Sequence, residues 1–273
     1  RKPFGMVGLM TPLTGIRVVE VGTALMAPYA GQWLADLGAD VIKIEDTDRG
    51  DGIRDMLTFP GKPESSGHLV LNRGKRSISV DLKSVEGQQV VLQLIARADV
   101  VVDSFRPGVL ERLGLGPAVL AEANSTLVHV SITAFGSTGE YQARPAHDLN
   151  TVGYAGFLNL VADSDGSAPM PRLQNADLSA GLHTALAVLA GLRVAQRDGV
   201  GYRADVAMTE TAAALLPRQL ATVAGTGDAP PIPDFLTGRL ACYALYQASD
   251  GGWLTVAGLE AKFFSRMCEL MGR

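Results

Sequence analysis

Ile16-Arg17-Val18-Val19-Glu20-Val21-Gly22-Thr23-Ala24-Leu25-Met26-Ala27-Pro28 carries the pattern that decides the fold: a β-branched run, a short turn, then the start of a helical pattern. The same alternation returns downstream. Strands are expected at Ile16 to Val21, Val41 to Glu45, Arg76 to Asp81, Val100 to Ser104 and Leu127 to Thr133. Helices are expected around Pro28 to Leu37, Ser84 to Arg97 and Pro117 to Ala123, the second opened by Ser84 as N-cap. Short strands separated by helices make βαβ units, and right-handed crossovers stack such units into a parallel sheet. The fold class is therefore α/β, a Rossmann-like open parallel sheet with flanking helices. The opening stretch also argues against a nicotinamide dehydrogenase. Its turn lacks the GxGxxG glycines that let a pyrophosphate approach a helix N-terminus, and the chain has no GxxxxGK[ST] loop. A ligand must be held another way.

Beyond the fifth strand, a polar, glycine-rich segment (Ala134 to Asp148) leads to a helix from about Leu149 to Val161 and a loop to Asn175. A strongly apolar helix follows from Asp177 to Gln196, then a strand from Tyr202 to Met208 and a helix from about Thr209 to Ala224. Gly227-Asp228-Ala229-Pro230-Pro231-Ile232-Pro233 reads as a linker. Cys242 to Gln247 and Trp253 to Ala257 flank Asp250-Gly251-Gly252, a strong hairpin signal, and a helix from Lys262 to Met271 ends the sequence. The expected division is a large domain over 11–208, a connecting helix and linker over 209–233, and the start of a smaller α+β domain over 234–273, incomplete at Arg273.

Composition narrows the function. With 273 residues and 47% hydrophobic content, the chain can bury one large or two modest cores. The net charge is −4 with no basic stripe, which argues against a nucleic-acid partner. Cys242 and Cys268 have no CxxC spacing and no nearby histidine, so neither a disulfide framework nor a metal site is expected, and a reducing, cytoplasmic setting fits. The most apolar stretch, Leu182 to Val194, is too short for a membrane span and contains His183 and Arg193. Arg1 to Met10 lacks the apolar core of a signal peptide and reads as a flexible lead.

Several runs resemble the family III CoA-transferases. They are Pro12-Leu13-Thr14-Gly15-Ile16-Arg17-Val18-Val19-Glu20, the stretch Leu34 to Glu45, Asn72-Arg73-Gly74-Lys75-Arg76-Ser77-Ile78, Asp81-Leu82-Lys83, the run Ser104 to Gly114, and Arg144-Pro145-Ala146-His147-Asp148. The resemblance runs in order from Pro12 through nearly the whole chain, and that family includes the α-methylacyl-CoA racemases. It implies an acyl-CoA substrate, with coenzyme A as part of the substrate and no permanently bound cofactor. It assigns Arg112 to the CoA phosphates and Lys83 with Val80 to the adenine end; Arg106 and Lys75, in the runs just quoted, join that set. On spacing alone Arg112 and Lys83 read as ordinary solvated charges. Arginine's planar fork and lysine's compact charge both suit phosphate. Asp46 departs from the pattern, standing where relatives often carry an arginine, and Arg49 or Arg54 would have to substitute.

On the residues alone, Asp177 reads as a helix N-cap. The resemblance makes it either the nucleophile of a CoA-transferase, through a covalent aspartyl intermediate, or one of the two acid/base groups of a racemase. His147 favours the racemase branch, because transferases of the family commonly carry tyrosine or phenylalanine before the motif aspartate. Glu260 occupies the position of the glutamate that hydrogen-bonds the histidine, and otherwise reads as a surface carboxylate at a helix start. Asp148 reads as a cap or loop anchor, while the amides opening the Asp177 helix are expected to hold an enolate. His129 and His183 read as structural; Leu158, Leu160 and Met170 are candidates for an acyl pocket or for core packing. The resemblance further implies an interlocked homodimer and no membrane association.

Overall fold

The computed structural model describes residues 11–56, 58, 65–162, 167–230 and 233–273. The expected lead, Arg1 to Met10, lies outside them, as do Pro231 and Ile232 of the expected linker. The chain divides into two compact units, one running to Ala155 and resuming over Arg172–Leu215, the other formed by Gly156–Pro171 and Leu216–Arg273. Residues 156–171, expected in the large domain, thus group with the second unit.

The first unit holds six strands: β1 (Arg17–Val21), β2 (Asp40–Glu45), β3 (Arg76–Ser79), β4 (Val100–Asp103), β5 (Val128–Thr133) and β6 (Tyr202–Ala207). All pair in parallel in the order β3-β2-β1-β4-β5-β6. The central strands are valine-rich because both faces are covered: every residue of β4 is buried, as are Val18 to Val21 of β1. Helices α1 (Met26–Asp36), α2 (Ser66–Asn72), α3 (Val85–Ile95), α4 (Val109–Arg112), α5 (Pro117–Ala123), α6 (Asp148–Tyr154), α8 (Asn175–Asp198) and α9 (Met208–Ala213) complete it. Ser84 caps α3 as expected, its hydroxyl accepting from the Gly87 N–H at 3.0 Å.

One face of the sheet buries Val19, Ile42, Val101 and Leu127 against Val91 and Ile95 of α3 and Leu120 of α5. On the other, α8 lies over β5 and β6 and against α1. Glycine makes that approach possible. A Cβ on Gly191 would come within 2.5 Å of Val128 Cγ1, and one on Gly181 within 2.9 Å of Tyr29 Cδ1. At 24 residues with a mean hydropathy of 1.5 over its most apolar window, α8 is longer than the expected apolar stretch and meets the length and composition of a membrane span. Within the first unit it packs against α1, α9, β5 and β6, and 39% of that window is buried.

The second unit contains α7 (Phe157–Leu160), α10 (Pro217–Thr226), the antiparallel pair β7 (Tyr243–Gln247) and β8 (Trp253–Ala257), and α11 (Ala261–Leu270). The hairpin turns as expected, with Gly251 at φ 84° and the Asp250 carboxylate accepting from the Gly252 N–H at 2.8 Å. Two expected helices are each broken. Gly156, at φ 81°, separates α6 from α7. Pro217, which has no N–H to continue the helix, begins α10 after α9 has ended. The short α2 and α4, and a 3-10 turn over Gly52–Asp55, give too few residues for a periodic signal.

Candidate active site

Strand order reverses between β1 and β4, and the crevice beyond the C-terminal ends of strands at such a point is where open α/β sheets bind ligands. A cavity of about 330 Å³ lies there. Its walls are the turn Thr23 to Met26 after β1, the loop Ser104 to Pro107 after β4, and Ile132 to Ala134 from β5 onward. His147 and Asp177 both line it, as does Arg106. The apolar lining comes from Leu25, Met26, Phe105, Ile132 and Met208, none of which the sequence marked as pocket residues. Leu158 and Leu160 belong instead to α7 of the second unit, and Met170 of that unit is 68% exposed rather than packed in a core.

Asp177 is the third residue of α8, not its cap, because the helix begins at Asn175. Burial first, and the neighbouring Asp148 charge second, push its carboxyl up to about 7. Asp148 caps a helix to which it does not belong. Its Oδ1 accepts from the N–H groups of Ala176 and Asp177 at 2.7 and 3.1 Å. The Asn175 N–H donates to the Leu173 carbonyl and the Leu178 N–H to the Gln174 carbonyl. All four amides opening α8 are therefore engaged, and the expectation that they hold an enolate is corrected.

His147 stands at the N-cap of α6, its backbone N–H donating to Asn150 Oδ1 at 3.0 Å. Its loop is stiffened by an aromatic set that sequence reading missed. Phe135, Tyr141 and Tyr154 meet edge to face with ring centroids 5.2 to 5.7 Å apart. The Arg144 guanidinium lies 3.9 Å from the Tyr141 ring centroid and also lines the cavity. These residues lie too far apart in sequence for a periodic signal.

The expected CoA contacts fare unequally. Arg112 ends α4 and is exposed, and Lys83 is exposed in the turn before α3, where its charge acts on the Asp46 carboxylate. Lys75 does not stand free for a phosphate. Its ammonium is buried and donates to Glu20 Oε2, the Pro28 carbonyl and Asn72 Oδ1 at 2.7, 2.8 and 3.0 Å, which uses all three protons. Desolvation pulls its pKa down to about 8. Val80 also departs from its assignment, since its side chain lies in the core cluster and leaves only backbone for an adenine. Arg54 is committed to a bidentate pair with Glu45 at 2.7 and 2.8 Å, whereas the charge of Arg49 acts on the neighbouring Asp46 carboxylate. The Asp46 carboxylate turns back to accept from the N–H groups of Asp48 and Arg49. Glu260, in the second unit, is the exposed N-cap of α11.

His129 and His183 are structural, as expected. His129 Nε2 is 2.8 Å from Asp103 Oδ2 inside the sheet, and His183 Nδ1 is 2.9 Å from the Ser179 carbonyl of its own helix.

The sequence profile of CoA-transferase family III matches residues 13–273. The chain belongs to that family. This family III chain is 34% identical over 267 residues to a succinate–glutarate CoA-transferase of Agrobacterium fabrum, covering 96% of this chain and 66% of that protein. It is 32% identical over 263 residues to the α-methylacyl-CoA racemase of Mus musculus, covering 95% and 65%. The crystal structure of a CaiB/BaiF family protein from Brucella suis superposes with a TM-score of 0.86 at 33% identity, over 96% of this chain and 70% of that one. The chain spans about half to two thirds of the length of the curated relatives it matches.

Proposed function

We propose that this family III chain interconverts the epimers of 2-methylacyl-CoA thioesters by moving the α-proton through an enolate. The observation that carries the proposal is that His147 and Asp177, 30 residues apart in sequence, line one cavity and that the Asp177 carboxyl is held near 7. A racemase needs one group that has a proton to give while the other can take one. Near neutrality a carboxyl titrating at about 7 exists in both forms, so it can serve either direction. In one direction neutral His147 removes the α-proton and protonated Asp177 delivers one to the opposite face. In the reverse direction the roles exchange.

Donors for the enolate oxygen fall to the opening of α1. There Leu25 and Met26 line the cavity, and no side chain caps the helix. Arg112 and Arg106 hold the phosphates of coenzyme A in this proposal, and Lys83 stands at the adenine end. Glu260 orients the imidazole, an assignment that rests on the family resemblance alone, as does the paired, interlocked assembly. Replacing either acid/base group, by His147→Ala or Asp177→Asn, should lower racemisation by about 10²- to 10⁴-fold.

A second reading, CoA transfer between carboxylic acids through a covalent Asp177 intermediate, is favoured by the CoA-transferase names of several relatives. It predicts that hydroxylamine inactivates the protein when acyl-CoA is present, and that His147→Ala causes only a modest loss.

A further inference from the structure

The wall of the cavity formed by the turn after β1 contains Ala24, which adopts φ 67°, a left-handed conformation that residues with a Cβ avoid. A buried ion pair grips this turn on both sides. From the far side, Asp51 Oδ1 accepts from the Ala24 N–H at 2.9 Å and from the Ile53 N–H at 3.0 Å. Its Oδ2 lies 2.9 Å from Lys43 Nζ. Lys43 in turn donates to the Gly22 carbonyl at 2.8 Å and to Glu20 Oε1 at 2.8 Å. The backbone groups on either side of Thr23 are thus fixed by the two ends of one pair. Asp51 and Lys43 are both at most 1% exposed, and neither lines the cavity.

Buried ion pairs are poor sources of stability, since apolar residues of similar volume often do as well. What an apolar pair cannot supply is a donor for the Gly22 carbonyl and an acceptor for the Ala24 amide. We propose that Lys43 and Asp51 are positioning residues for the acid/base site, holding the Thr23 to Met26 wall in the one backbone shape that sets Leu25 and Met26 against the reacting thioester. This deepens the racemase proposal and rests on it. Lys43 and Asp51 reach the chemistry only through the turn, so their loss acts on turnover and spares substrate affinity.

The test compares Asp51→Asn with the double variant Asp51→Asn/Ala24→Gly, reading α-proton exchange of 2-methylacyl-CoA and the hydrogen exchange of the Ala24 amide. An asparagine that keeps its Oδ1 on the Ala24 N–H sets an NH2 group against the Lys43 ammonium, and that donor-to-donor clash turns the side chain away from the Ala24 amide. Asp51→Asn is expected to lower kcat by about tenfold or more, with KM changed by less than about twofold. Glycine adopts positive φ without the clamp, so the double variant should recover about threefold or more of the lost kcat. In the native protein the Ala24 amide should exchange slowly despite its place on a cavity wall, and Asp51→Asn should release it.

A fast-exchanging native Ala24 amide would overturn the proposal, as would a loss in Asp51→Asn that glycine does not relieve and that follows melting temperature alone. If Asp51→Asn does not fold, native amide protection still decides. If the native protein shows no α-proton exchange, the racemase reading fails by itself. The clamp is then judged on Ala24 protection and its release in Asp51→Asn.

Discussion

The carboxylate of Asp148 accepts a hydrogen bond of 3.1 Å from the backbone N–H of Asp177 while raising the pKa of that residue's side chain by its charge. One group thus fixes the position of the acid and weakens its acidity. Asp148→Asn keeps an acceptor oxygen for the two amides and removes the charge, so the Asp177 pKa should fall from about 7. In the direction that uses Asp177 as the proton donor, the alkaline limb of the kcat/KM profile should move to lower pH. A limb that moves upward would contradict the assignment. Asp148→Ala also loses the cap and should cost about 1 kcal/mol of stability in denaturant unfolding.

Asp177 should make the fold less stable as pH rises. Its folded pKa of about 7 stands above its ordinary value of 3.8, so the folded chain binds a proton that the unfolded chain has released between those values. Stability is full below pH ~4, falls toward pH ~7 and is level above it. Asp177→Asn removes this dependence. Because the residue is partly exposed, the variant should gain on the order of 2 kcal/mol over the native chain at pH 8 and little at pH 4, as read by denaturant unfolding at the two pH values.

Lys75 and Arg112, assigned together from the sequence, should separate in experiment. Lys75→Ala strips the Glu20 carboxylate of one of its two buried cations and should cost about 3–5 kcal/mol of stability. Arg112→Ala, at an exposed side chain, should leave stability within about 0.5 kcal/mol and weaken the binding of coenzyme A measured by calorimetry. Equal CoA affinity in the Arg112→Ala and native chains would remove that arginine from the phosphate site.

Gly191 should not tolerate a methyl group. A Cβ there falls 2.5 Å from Val128 Cγ1 and 2.8 Å from the Tyr202 ring. The helix-propensity gain of about 1 kcal/mol for alanine is outweighed by an overpacking cost of about 1–3 kcal/mol. Gly191→Ala should therefore lower the unfolding midpoint, whereas at Gly225, where a Cβ meets nothing within 4 Å, the same change should not.

The strands were legible because each is a compact β-branched run. All six, including Tyr202 to Met208, lie within two residues of their expected ends. The breaks at Gly156 and Pro217 were not read, because the apolar pattern continues on both sides of a single interrupting residue. His147 and Asp177 were legible from the family motifs, but the third-residue position of Asp177 was not, since the true cap, Gln174, carries no capping side chain. The clamp was the least visible feature. Glu20, Lys43, Asp51 and Lys75 come from separate elements and meet only once the sheet is built, so nothing local distinguishes Lys75 from a phosphate-binding lysine.

The most direct measurement is the fate of the α-hydrogen when the native protein meets a 2-methylacyl-CoA in deuterium oxide with no acceptor acid present. The account predicts deuterium at the α-carbon of both epimers and loss of that signal in His147→Ala. Retention of the original hydrogen, together with inactivation by hydroxylamine, would contradict it and assign Asp177 to covalent transfer instead.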